Sequence, residues 1–276
     1  MRIHTVTNEV EFKNLKVDWK RLLSASGNDS LYSTYEWLSA WWECMRDDKQ
    51  LLVLVGYEGD RLVAIAPCVL SVREGFRQAA LMGGRVTDYK DCIIDAGMDR
   101  SAVLEAMLSE LLASHPVDFV QFSGLLADSP NLTPLLMALG RLDAYRPVYE
   151  ASDVSVYVKV EGTLDEYWRR LGRGYRENCR RQISRLHGLD AGYSFYFPTT
   201  VQEVGQYVEL MLRQKIDRWR QTKHEHTLIE HSSVRQFYLE VAQRLLAAGW
   251  AQAPVLLVKG QVASVDFGAV YAGKYF

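Results

Sequence analysis

One order of elements occurs twice along this chain, and that repeat limits the folds open to it. In the first half, a short strand over residues 2–6 precedes an amphipathic helix over 9–24, where Phe12, Leu15, Trp19, Leu22 and Leu23 recur at helical spacing. Thr34 is placed to cap a second helix over 35–45 that carries Trp37, Leu38, Trp41 and Trp42. Two apolar β-type runs, 51–57 and 62–70, then flank the turn Glu58-Gly59-Asp60-Arg61. The same order of strand, two helices and hairpin returns as 193–197, 201–221, 233–248 and the pair 255–259 and 262–271 around Gly260-Gln261. The repeat is one of architecture and not of residues.

In the first half the order continues. A strand at 78–82 leads to Gly83-Gly84, and 91–94 extends it. A helix over 101–114 ends at His115-Pro116, followed by a strand at 117–122, a helix over 131–139 and strands at 145–149 and 154–160. A long helix over 164–187, stopped by Gly188, joins the halves. In the second half the order stops inside a strand, Val265 to Phe276 (VDFGAVYAGKYF), with nothing after it to close the sheet or cover its apolar side chains. The expectation is an α/β (α+β) protein of two tandem domains, 1–152 and 153–276, each a mixed, mostly antiparallel sheet flanked by helices. The second is cut off at its C-terminus. An unpaired apolar strand there predicts a homodimer formed through that edge.

Composition narrows the function. A net charge of −2 gives no global field for nucleic acid or an anionic membrane. Cys44, Cys68, Cys92 and Cys179 contain no C-x-x-C pair, which argues against a zinc site or a disulfide framework and suits a reducing, cytoplasmic setting. No apolar leader or run of membrane-spanning length is present. His224-Glu225-His226 has no third ligand near it in sequence, so no metal is expected.

Six stretches, STYEWLSAWWE, LLVLVGYEGDRLVAIAPCVL, ALMGGRVTDYKDCII, YRENCRRQISRL, LRQKIDRWRQ and SVDFGAVYAGKYF, resemble in this order the GNAT-related acetyltransferases of cellulose and exopolysaccharide biosynthesis (CelD-type). These in turn look like the Fem-type aminoacyl ligases, which also pair two GNAT-like domains. The resemblance implies transfer of an acyl group from acetyl-CoA or another acyl-CoA to an amine, or a hydroxyl, of a polysaccharide- or envelope-pathway metabolite. It also implies a Gly-rich loop and a helix N-terminus for the donor's pyrophosphate. Two rivals stand beside it: a non-catalytic GNAT-like protein that binds an anionic ligand or a partner, and an aminoacyl-tRNA-dependent ligase. The Fem-type helical-hairpin insertion is missing from the two ordinary helices over 201–248.

The slot before the helix at 101 reads Ile94-Asp95-Ala96-Gly97-Met98-Asp99-Arg100. One glycine and two carboxylates make good capping and poor phosphate chemistry. The first domain is therefore expected to lack the acyl-CoA grip, and the donor-binding residues to lie beyond Phe276. Gly83, Gly84 and Arg85 are the minor alternative for phosphate. Thr87-Asp88-Tyr89-Lys90-Asp91 packs a base candidate, a phenol and two further charges after a flexible loop. The resemblance places its Asp-Tyr pair at the interdomain cleft. Asp88 and Tyr89 are thus the catalytic candidates, with Lys90 and Asp91 beside the substrate; the competing reading is a polar turn in which Asp88 caps backbone N–H groups.

Trp37 is a candidate for the cleft, whereas Trp41 and Trp42 fall on a helical core face. Arg173, Arg176 and Arg180 share one helix face near Tyr175, and seven arginines lie between residues 169 and 187. They form a solvated face, a site for an anionic substrate or carrier, or a nucleic-acid site, the last disfavoured. Trp219 resembles the family's Arg-Trp feature near the acyl chain, and Asp266 is a possible cleft acid. The acceptor is expected to be a small or sugar-derived molecule.

Overall fold

A thirteen-residue strand organises the first half of the computed structural model, which describes residues 1–142, 146–189, 192–222 and 228–276. Strand β1 (Arg2–Val6) leads into helices α1 (Glu9–Asn14), α2 (Lys16–Ser26) and α3 (Tyr35–Met45). The single helix expected over 9–24 is two, hinged at Leu15, whose N–H reaches both the Glu11 and Phe12 carbonyls. Thr34 caps α3 as expected, its hydroxyl accepting from the Trp37 N–H at 3.3 Å. Next come β2 (Gln50–Glu58), β3 (Arg61–Arg73), β4 (Phe76–Leu81), β5 (Ile93–Ile94), α4 (Arg100–Ser114), β6 (Phe119–Gln121) and α5 (Leu132–Leu139).

The sheet order is β1-β2-β3-β4-β6, antiparallel except for the parallel pair β4–β6. The strand β5 pairs with Ala64 and Ile65 of β3, ahead of β4 along the same strand. The apolar runs in β2 and β3 are continuous because both faces are covered. Leu51, Val53 and Val55 join the core under α2 and α3, while Leu52 and Leu54 join the core under α4 and α5.

Residues 146–160 form no strand, contrary to the expectation for 145–149 and 154–160; Tyr145 lies outside the described residues. Val154, Val156 and Val158 alternate as a strand requires, but their backbone pairs with no sheet edge, and Val156 is 84% exposed. The long helix expected over 164–187 is likewise two, α6 (Leu164–Arg170) and α7 (Arg173–His187), parted at Leu171-Gly172. Neither helix buries a residue.

The second half then follows as β7 (Tyr193–Tyr196), α8 (Val201–Gln221), α9 (Ser232–Ala247), β8 (Ala251–Gln252), β9 (Val255–Val258), β10 (Gln261–Val265), β11 (Gly268–Tyr271) and β12 (Lys274–Tyr275). Its sheet β7-β9-β10 repeats the order and antiparallel pairing of β1-β2-β3. The strand expected over 262–271 is broken. After a register shift between Val262 and Ser264, the Asp266 N–H bonds to the Pro254 carbonyl at 3.0 Å, and β11 departs to pair with β8 and β12. The strand β11 is consequently paired on both sides and β12 with β11 alone, Ala269 is buried, and the Phe276 ring packs 5.6 Å from Tyr32, so the last residues are covered in part.

On α8, Val204, Val208, Leu212 and Ile216 form a buried stripe at four-residue spacing with Ala242 of α9 and Ile229. The opposite face of α9, with Val234, Phe237, Val241 and Leu245, enters the core of the first half beside Trp37 and Trp41. The helices in equivalent places of the two repeats, α3 and α9, therefore pack on each other. Across that seam Arg244 donates to the Ser39 hydroxyl at 2.6 Å and pairs with Glu43. No helix among the described residues is long and apolar enough to cross a membrane.

Candidate active site

Two glycines in the left-handed region set the geometry of the candidate loop. Gly83 has φ 111°, and a Cβ there would meet the Thr87 hydroxyl at 2.4 Å, so only glycine fits. Gly84, at φ 52°, starts a single tight turn that ends at Val86. The chain emerges with Thr87 buried and Asp88 exposed. The Trp37 indole N–H donates to the Thr87 hydroxyl at 2.9 Å, which ties the loop to α3.

Asp88 stands at the seam between the halves. The Tyr32 hydroxyl donates to Asp88 Oδ2 at 3.3 Å. Around Tyr32, ring centroids lie at 4.7 Å (Trp37), 5.5 Å (Tyr89) and 5.6 Å (Phe276), all edge to face. The second half supplies Phe237, 5.2 Å from Trp37, and Tyr238 next to it. Burial first, and then the Asp88 charge, raises the Tyr238 hydroxyl above its ordinary value and the Tyr32 hydroxyl well above it. Both therefore stay protonated, as hydrogen-bond donors. No Lys, Arg or His nitrogen among the described residues lies within ion-pair distance of the Asp88 carboxylate. An exposed carboxylate held by one phenol and faced by others can accept a proton from a bound nucleophile.

The other expected site residues are placed differently. Lys90 and Asp91 face the interior of the first half. The Lys90 N–H bonds to the Gly124 carbonyl at 3.0 Å and its ammonium donates to Ser123 Oγ at 3.3 Å; burial lowers its pKa, with Asp88 opposing. Asp91 accepts from the Ser129 hydroxyl at 2.6 Å, the Asn131 amide at 2.8 Å and the Cys92 N–H at 2.8 Å, and burial pushes its carboxyl up. These contacts clamp the loop to the stretch before α5 and leave Asp91 turned away from the seam. Trp37, the cleft candidate, is a buried spacer between the halves, while Trp41 and Trp42 are core, as expected.

Arg173, Tyr175, Arg176 and Arg180 lie on α7. No hydrogen bond, ion pair or ring contact joins them to the Asp88 cluster among the described residues. Arg173 pairs with Glu177 at 2.7 Å, and Arg176 donates to the Arg169 carbonyl at 3.2 Å. Trp219 is half-buried against the α8–α9 core, with the Lys215 ammonium 4.9 Å from its ring centre. Asp266, exposed where β10 ends, accepts from the Phe267 N–H at 3.0 Å and the Tyr275 hydroxyl at 3.2 Å.

At the start of α4, Asp99 accepts from the Ser101 and Ala102 N–H groups, and Asp95 accepts from the Gly97 N–H while pairing with Arg61 at 3.1 Å. The capping use expected of both carboxylates is found for Asp99, whereas Asp95 closes a turn ahead of the helix and pairs with Arg61. Arg85 and Gly84 are exposed at the tight turn. His224, Glu225 and His226 lie outside the described residues. Tyr238 and Phe276 escaped sequence reasoning, because only the packing of α9 on α3 brings Tyr238 to Asp88 and only the fold of the last strands brings Phe276 to Tyr32. Two surface hollows of about 360 and 400 Å³, one beside Trp42 and His115 and one beside Phe76 and Phe119, contain none of the seam residues.

Residues 173–276 match a family model described as an acetyltransferase (GNAT) domain. No curated protein matches the chain. Among solved structures, the chain is similar to a conserved protein of unknown function from Bacteroides thetaiotaomicron VPI-5482, at 14% identity over 97% of this chain and 75% of that one, with a TM-score of 0.47. It is also similar to a tandem GNAT protein from the clavulanic acid biosynthesis pathway, solved without AcCoA, at 14% identity over 99% of this chain and 76% of that one, with a TM-score of 0.41. A probable acetyltransferase is similar at 17% identity over 58% of this chain and 100% of that one, with a TM-score of 0.35. The part of the chain from α7 onward is thus matched as a GNAT acetyltransferase domain, within a mixed α/β architecture.

Proposed function

We propose that this protein transfers an acetyl or longer acyl group from acyl-CoA to an amine, or a hydroxyl, of a sugar-derived metabolite. Acyl transfer is supported by the GNAT domain match over residues 173–276. The acceptor class, in an envelope or polysaccharide pathway, rests on the CelD-type resemblance alone. The observation that carries the site is Asp88: an exposed carboxylate at the seam, oriented by the Tyr32 hydroxyl and faced from the other half by Tyr238. In the reaction, the acceptor nitrogen attacks the thioester carbonyl, the N–C bond forms and the C–S bond breaks. The proton lost by nitrogen goes to the Asp88 carboxylate, and the thiolate leaves to be protonated as free CoA. Tyr32 holds the carboxylate in place.

The test is release of free CoA thiol from acetyl-CoA in the presence of a panel of amino sugars and simple amines. Asp88→Asn should lower turnover by about 10²–10⁴-fold, the usual worth of a positioned base, with its melting curve unchanged. Unchanged turnover in that variant removes Asp88 as the base. A wild-type protein that releases no thiol with any acceptor sinks the acyl-transfer reading. A GNAT-like protein that binds without turnover then leads, a reading favoured by the Asp99 carboxylate already seated on the first N–H groups of α4.

A further inference from the structure

We infer that helix α7 is a docking surface for an anionic lipid bilayer. Between residues 169 and 187 the chain carries seven arginines and one glutamate, although its overall net charge is −2. This basic concentration is therefore local, and the rest of the protein is distinctly acidic. Among the described residues only Arg173, with Glu177, and Arg170, with Glu161, lie within 4 Å of a carboxylate. Arg176, Arg180, Arg181 and Arg185 have none among the described residues.

The arrangement of the remaining side chains selects the partner. Tyr175, Cys179, Ile183 and Leu186 recur at three- and four-residue spacing and so share one narrow stripe of α7. Among the described residues the stripe is covered only in part: no residue of α7 is buried, Cys179 and Leu186 are half-buried, and Tyr175 and Ile183 are 59% and 43% exposed. Arg176 and Arg180 flank the stripe on one side and Arg185 on the other, where long side chains can reach outward while the apolar stripe faces in. A low mean hydropathy with strong segregation of charged and apolar faces is the pattern of a helix lying in a bilayer interface. Nucleic acid would use the arginines but has no use for the apolar stripe, which a bilayer would bury. The exposed alternating valines at Val154, Val156, Val158 and Val160 add apolar surface just ahead of the two helices. This inference is independent of the acyl-transfer reading, since it concerns a different face and needs no donor.

The experiment is flotation of the full chain with vesicles of phosphatidylglycerol and phosphatidylcholine, or of phosphatidylcholine alone, without acyl-CoA. Binding is expected to the anionic vesicles only and to weaken as salt rises. The triple variant R176Q/R180Q/R185Q should lose about 100-fold in apparent affinity. Ile183→Ser, which changes no charge, should lose several-fold, because the stripe contributes burial. All three arginines and Ile183 are at least partly exposed, so the variants should keep the wild-type melting temperature, which circular dichroism checks. Equal flotation with neutral vesicles, or a triple variant that binds as the wild type does, overturns the inference. So does an Ile183→Ser variant without effect combined with tighter binding to duplex RNA, which would assign the arginines to nucleic acid.

Discussion

The strands β1-β2-β3 and β7-β9-β10 are paired in the same order and direction, and the helices that follow the first strand of each set occupy equivalent places. Yet in the first set β2 and β3 are buried on both faces, and the second set is half-open. In the first half, β3 runs unbroken through thirteen residues, so β4 and β5 both find an edge and α4 and α5 cover the far face. In the second half, β10 stops at Val265, and Phe195 of β7 is 60% exposed. The contrast teaches that the order of elements fixes pairing, whereas burial depends on what the central strand goes on to support. The second half compensates through α9, whose apolar face completes the core of the first.

The most severe break of this comparison should come from Phe237→Ala. Phe237 is fully buried, and its ring separates Trp37 from Tyr238 at the seam. Truncation should cost about 3–5 kcal/mol. If the halves share one core, urea denaturation followed by tryptophan fluorescence and by far-UV circular dichroism will show a single transition that moves as a whole. Two separated transitions, only one of them shifted, would mean that the seam is a contact between independent domains.

A smaller effect is expected at the polar edge of the same seam. Arg244 of α9 reaches Ser39 and Glu43 of α3 while also holding Glu240 on its own helix at 2.8 Å. Arg244→Met keeps much of the stem's packing and removes the charge. Because Glu43 and Glu240 are both substantially exposed, the loss should be only about 1–2 kcal/mol. Since the pair is exposed to solvent, part of that difference should vanish in 1 M salt. A loss as large as that of Phe237→Ala would mean that the seam is held by charge and not by burial.

Much of this architecture was legible where a local signal had a local cause. Thr34 announced α3, and Asp99 announced the start of α4. The boundaries 201–221 fall where Thr200 and Glu203 close a capping box on α8. The apolar runs of β2 and β3 read as a hairpin because Gly59, at φ 61°, makes the turn. The failures share a different character. Leu15 ends α1 without a breaking residue of its own, and the long run over 164–187 parts at Leu171-Gly172, where the glycine opens the helix and no packing holds it straight. The valines from Val154 to Val160 carry a strand's alternation with no edge to pair. The site divides in the same way: Asp88 and Tyr89 stood out as charge and phenol after two glycines, but Lys90 and Asp91 looked alike in sequence and turn inward because Gly124, Ser129 and Asn131 lie there to receive them. Tyr238 had no signal at all, as its meeting with Asp88 exists only once α3 and α9 have packed.

The mildest probe of the comparison changes no residue. Thiol alkylation at pH 8 requires a thiolate that the reagent can reach. Cys68 and Cys92 are buried between the first sheet and α4, where burial pushes the Cys68 thiol up to about 12 and the Cys92 thiol up as well. Cys44, half-buried on α3 at the seam, is pushed up to about 11, again first by burial. Cys179 lies on α7, which buries nothing. Mass-resolved labelling with iodoacetamide should therefore modify Cys179 first and Cys44 much later, with Cys68 and Cys92 reacting only as the chain unfolds. Because both buried thiols sit in the first half, their protection reports opening of that sheet alone, and Phe237→Ala should accelerate them only as far as the halves unfold together. Labelling of Cys68 at the rate of Cys179 would show that the covered sheet opens as readily as the uncovered helix, and the difference in burial between the halves would then have no counterpart in stability.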